Sequence, residues 1–129
     1  MKTIWLVVPC YNEEEVLPET SKQLKNVMSS MIENGKISPE SKIAFVNDGS
    51  KDNTWNIIST LCTCDGIFAG INLSRNKGHQ NALLAGLMTA KKYADAVISL
   101  DADLQDDVNA IEKMVDNFIA GDDIVYGVR

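Results

Sequence analysis

Five short apolar runs, each parted from the next by a stretch with helical spacing, decide most of what this chain can fold into. IWLVV (4–8), KIAFVN (42–47), AVISL (96–100) and DIVYGV (123–128) read as strands, GIFAGINL (66–73) contains another, and IWLVV is too uniformly apolar to have a wet face. Between them, Leu17, Leu24, Val27, Met28, Met31 and Ile32 fall on one helical face, with Gly35 placed to stop the helix. Trp55, Ile58 and Leu61 or Cys62 mark a second helix that Ser50 could cap. Leu83, Leu87 and Ala90 mark a third over 78–93, and Val108, Ile111, Val115 and Phe118 a fourth closed by Gly121. Strands separated by helices of this length define βαβ units, so the expected fold is α/β: three layers, helices on both faces of a mostly parallel sheet. Helices on both faces also explain why the strands alternate so little.

A chain of 129 residues fits one domain, able to bury about two thirds of its surface. The fifth run ends at Arg129 with no helix to cover it, so the chain is expected to be part of a longer protein. A formal charge of −6 argues against a general nucleic-acid surface. Cys10, Cys62 and Cys64 make neither a disulfide framework nor a zinc site, which favours a reducing compartment. The start MKTIWLVVPC lacks the length and cleavage site of a signal peptide, and no apolar window is long enough to span a membrane.

In an open α/β sheet, ligands bind beyond the carboxyl ends of the strands, and the polar residues of this sequence collect there. The loops read PCYNEEE, NDGSKDN, SRNKGHQN and DADLQDD, with Arg129 after the fifth run. No G-x-G-x-x-G follows the first run and no G-x-x-x-x-G-K-[ST] occurs, which removes the dinucleotide fingerprint and the P-loop. A phosphorylated receiver domain would need an aspartate after the third strand, where Ser74 and Arg75 stand.

Asp101 and Asp103 lie two apart in an extended segment, so their carboxylates point the same way while Ala102 faces elsewhere. Like charges so close favour a bound cation, and oxygen ligands suit Mg²⁺ or Mn²⁺ shared with substrate phosphates. Gln105 could add a neutral oxygen, whereas Asp106, just before Val108, reads as a helix cap. Asp48 could accept N–H groups of a base, although N-D-G is also a plain turn signal. Pro9 fixes the backbone where the first run ends, and Tyr11, Asn12 and Glu13 could hold base and ribose. Arg75 and Lys77 supply charge for a diphosphate, and Gly78 opens a helix whose N–H groups favour an anion. His79 has no metal-ligating partner nearby and reads as structural or solvent-facing.

The ordered motifs V-P-x-Y-N-E-E, N-D-G-S-x-D-x-T, S-R-N-x-G-x-x-x-A-x-x-x-G and D-A-D-L-Q-D resemble the family 2 glycosyltransferases of GT-A fold. Within that family the pattern is most similar to the dolichol-phosphate mannose synthase and bacterial polyprenyl-phosphate glycosyltransferase branch. The resemblance implies a nucleotide-sugar donor (UDP slightly favoured over GDP), an Mg²⁺ or Mn²⁺ ion, and inverting transfer to a polyprenyl phosphate on the cytoplasmic side of a membrane. It places Pro9, Tyr11, Asn12, Glu13 and Asp48 around the nucleoside, Asp101, Asp103 and Gln105 at the metal, and Ala102 beside the donor. Arg75, Lys77, Gly78 and Arg129 come to the diphosphate side. A catalytic base and any membrane helices are expected beyond Arg129. The alternatives are a family 2 enzyme acting on a polysaccharide or protein-linked glycan, or a non-catalytic nucleotide-binding module.

Overall fold

The computed structural model describes residues 1–102 and 108–119. Four strands, β1 (Ile4–Cys10), β2 (Lys42–Asp48), β3 (Phe68–Leu73) and β4 (Ala96–Ser99), form one parallel sheet in the order β3-β2-β1-β4. Helices α1 (Leu17–Glu33), α2 (Thr54–Cys64), α3 (His79–Lys91) and α4 (Asn109–Ile119) alternate with them. The fifth run, 123–128, and Gly121 lie outside the described residues. Among the described residues, no helix is long and apolar enough to cross a membrane.

The strand order dictates where each helix goes. The chain steps outward from β1 to β2 to β3, then returns past β1 to β4. Right-handed crossovers in opposite directions place their helices on opposite faces. Accordingly α3 packs on β1, β2 and β4 from one side, while α2 covers β3 and β2, and α1 meets α2 and α4 on the other. The core divides in the same way. Ile4, Leu6, Val8 and Cys10 face the α1–α2–α4 layer, and Trp5 and Val7 face Ala82 and Ala90 of α3. Every residue of β1 is buried, as a strand with helices on both faces requires.

Two local expectations are corrected. Strand β1 continues through Pro9, which pairs in register with Val46, and ends at Cys10. Ser50 does not cap α2: that helix starts four residues later behind Asn53, which makes no side-chain cap bond. The N–H of Thr54 is met instead by the Asp52 carboxylate at 2.9 Å. The strand order also fixes a crevice between the carboxyl ends of β1 and β4, where the direction of winding reverses.

Candidate functional site

Three loops at this edge are tied to one another across the sequence. After β1, the chain turns at Asn12, whose φ of 54° lies in the left-handed region that Asn tolerates. The Asn12 N–H donates to Ser50 Oγ (2.9 Å), and the Lys51 N–H donates to Asn12 Oδ1 (2.9 Å). The Glu13 N–H donates to Thr54 Oγ1 (2.8 Å), and the Glu14 N–H to Asp52 Oδ2 (3.3 Å). Burial alone would push the Asp52 carboxyl up, but hydrogen bonds from Thr54 and Glu14 outweigh it and hold the group below the usual carboxylate range. Burial drives the Cys10 thiol far up, so this cysteine stays a neutral wall residue.

The loop after β3 is held by Asp48, which is only 3% exposed and accepts the Lys77 N–H at 2.7 Å. Gly49 has φ +69°, and a Cβ there would stand 2.2 Å from the backbone N of Asn76, so only glycine lets the two loops meet. Asn76 in turn accepts the Gly78 N–H at 2.8 Å. Gly78 has φ +93°, but a Cβ there would meet nothing within 4 Å of it, so its requirement is conformational.

Pro9, Cys10, Tyr11, Asp48, Asn76 and Gly78 together line a pocket of about 180 Å³. That is below the usual range for a whole bound ligand, about 300–1,000 Å³, and suits one ring-sized part of a larger molecule that continues along the edge. Tyr11 is 41% exposed, leaving ring surface for stacking. Arg75 and Lys77 are exposed in the same β3–α3 segment, and α3 begins there without a side-chain cap. Thus Pro9, Tyr11 and Asp48 lie together, with Asn12 and Glu13 beside them, and Gly78, expected on the diphosphate side, lines the same pocket. The backbone amides of Asn12 and Glu13, and the Asn12 side-chain oxygen, serve the loop ties.

Asp101 follows β4, half-buried, and Ala102 is 4% exposed behind it. Asp103, Gln105, the expected cap Asp106 and Arg129 lie outside the described residues. Among the described residues, no group of three or more His, Cys, Asp or Glu is placed to hold a metal. The expected ligand set Asp101, Asp103 and Gln105 is all oxygen, a chemistry that fits a hard divalent cation. Sequence reasoning missed Asn76 and Cys10 as pocket walls. The signal available for Asn76 was its place between Arg75 and Lys77.

The chain belongs to glycosyl transferase family 2, whose model matches residues 5–129. It is 52% identical over 124 residues to the glycosyltransferase YkoT of Bacillus subtilis, covering 96% of this chain and 37% of that protein. It is 40% identical over 127 residues to the bactoprenol glucosyl transferase of Shigella phage SfV, covering 98% of this chain and 38% of that one. The chain therefore spans little more than a third of these relatives' length. Its fold matches that of S. aureus TarS 1–349 in complex with UDP-GlcNAc, with a TM-score of 0.62 at 19% identity over 89% of this chain and 31% of that one.

Proposed function

We propose that this chain forms the donor-binding part of a metal-dependent, inverting glycosyltransferase that passes a sugar from a nucleotide-sugar to a polyprenyl phosphate. The observation that carries the reading is the pocket of Tyr11, Asp48, Asn76 and Gly78 at the carboxyl edge of the sheet, the edge at which β4 runs on to Asp101. In this reading Tyr11 stacks on the base and the buried Asp48 accepts a ring N–H, which uracil offers at N3 and guanine at N1, with uracil slightly favoured. Arg75 and Lys77 face the diphosphate, joined by Arg129. Asp101, Asp103 and Gln105 hold Mg²⁺ or Mn²⁺, which when bound neutralises charge on the departing diphosphate. Support for the acceptor comes from the likeness to bactoprenol glucosyl transferases over nearly the whole chain.

The acceptor class is chemically consistent with the site. A phosphate monoester has a second pKa of about 6 and is already anionic at neutral pH, so it needs orientation more than a base to become a nucleophile. Its oxygen attacks the anomeric carbon from the face opposite the diphosphate, the bond to the diphosphate oxygen breaks, and the configuration inverts. The acceptor would be presented at the cytoplasmic face of a membrane.

Calorimetric titration with UDP and GDP tests the donor half. UDP should bind in the presence of Mn²⁺, more tightly than GDP, and chelator should abolish the heat. Equal affinity with and without metal would refute the metal role. In a polypeptide of the relatives' length carrying this chain, labelled UDP-sugar and polyprenyl phosphate should give a labelled lipid. Label found only in a polysaccharide would refute the acceptor class.

A further inference from the structure

Five threonines on the helices donate through their hydroxyls; Thr54 donates to the Asp52 carboxylate just before its own helix, and Thr20 reaches furthest along the sequence. Thr60, Thr63 and Thr89 each donate to the carbonyl four residues back in their own helix, on Asn56, Ser59 and Ala85. That local bond is the usual one for a helical threonine. Thr20, in the first turn of α1, instead donates across 82 positions to the carbonyl of Ala102, at 2.6 Å. Thr20 is 3% exposed and Ala102 is 4% exposed, so water has little access to either partner.

The place of this bond gives it a functional meaning. Helix α1 follows β1, and Ala102 follows β4, so the hydroxyl ties the segments that leave these two neighbouring strands. Ala102 is the residue between Asp101 and Asp103. Its carbonyl belongs to the planar peptide that also contains the nitrogen of Asp103. Anchoring that oxygen fixes the chain one residue beyond Asp101.

We propose that Thr20 is a positioning residue for the acidic segment after β4: its hydroxyl holds the carbonyl of Ala102, and with it the backbone next to Asp101, before a cation arrives. The proposal rests on the metal reading of Asp101 and Asp103 given above. A bond that only satisfied a buried carbonyl would affect stability without regard to metal. A positioning bond changes metal-dependent affinity selectively.

The test compares Thr20→Val, which keeps the side chain's shape but removes the donor, with Thr20→Ser, which keeps the donor, and Thr20→Ala. Each is titrated with UDP plus Mn²⁺ and, separately, with uridine in chelator, and the bound Mn²⁺ is followed by its paramagnetic resonance spectrum. Thr20→Val and Thr20→Ala should weaken Mn²⁺-dependent UDP binding by about tenfold, the lower end for losing the outer partner of a metal ligand, and Thr20→Ser should restore most of it. Their uridine affinity should stay at the wild-type value, while the Mn²⁺ spectrum broadens. Wild-type UDP affinity in the donor-less variants, or an equal loss for uridine, would overturn the proposal. If Thr20→Val does not fold, the Ala and Ser pair decides by the same criterion. Wild-type protein that binds UDP equally with and without Mn²⁺ would instead refute the metal reading beneath the proposal, whatever the variants do.

Discussion

Asp48 both anchors a neighbouring loop and lines the proposed base pocket. Its Oδ1 accepts the Lys77 N–H, and Asp48 is one of the residues that line the pocket. Replacing it by Asn keeps a carbonyl oxygen for Lys77 but removes the charge offered to a base. Replacing it by Ala removes both. Hydrogen bonds to charged groups are worth about 1.5–3 kcal/mol, so both variants should weaken uridine binding by roughly tenfold or more. Only Asp48→Ala should also lower the melting temperature clearly, because the loop after β3 loses its anchor. Equal melting temperatures for the two variants would show that the Lys77 tie contributes nothing. The sequence marks Asp48, Tyr11 and Gly78 as site residues because their types suit a nucleotide. It does not reveal that Asn12 binds Ser50 and Lys51, since that pairing depends on two loops lying side by side in space.

At the scale of elements, the sheet was legible because helices on both faces make its strands apolar on both faces. The edge strand β3 is the exception: its burial alternates, and GIFAGINL (66–73) was expected only to contain a strand, which occupies Phe68–Leu73. The start of α2 was misplaced because an Asp52 carboxylate two residues before Thr54 does what Ser50 was expected to do. Helix α3 carries a requirement that helix propensity would misjudge. Gly86 sits against the sheet, where a Cβ would stand 2.4 Å from Val7 Cγ1 and 2.9 Å from Val46 Cγ2. Gly→Ala gains about 1 kcal/mol of propensity in a helix interior. Overpacking a rigid β-branched wall costs about 1–3 kcal/mol. With two contacts this close, the overpacking should win, and Gly86→Ala should unfold at lower urea than wild type. A higher midpoint would mean that α3 shifts away from the sheet without penalty.

At the scale of the whole molecule, the proposed donor site occupies one edge of the sheet. The opposite edge holds a second hollow, lined by Thr3, Trp5, Pro39, Glu40, Lys42 and Tyr93, with Trp5 and Tyr93 stacked at 5.4 Å. It has the aromatic surface that a base could use, but it lies at the amino ends of the strands, away from Asp101 and the start of α3. The most direct test is to record backbone amide spectra while adding UDP, first with Mg²⁺ and then with paramagnetic Mn²⁺. The account requires shifts at Cys10–Asn12, Asp48–Ser50 and Asn76–Gly78, and Mn²⁺ broadening centred on Asp101 and Ala102. Shifts centred on Thr3, Lys42 and Tyr93, or broadening away from Asp101, would contradict it.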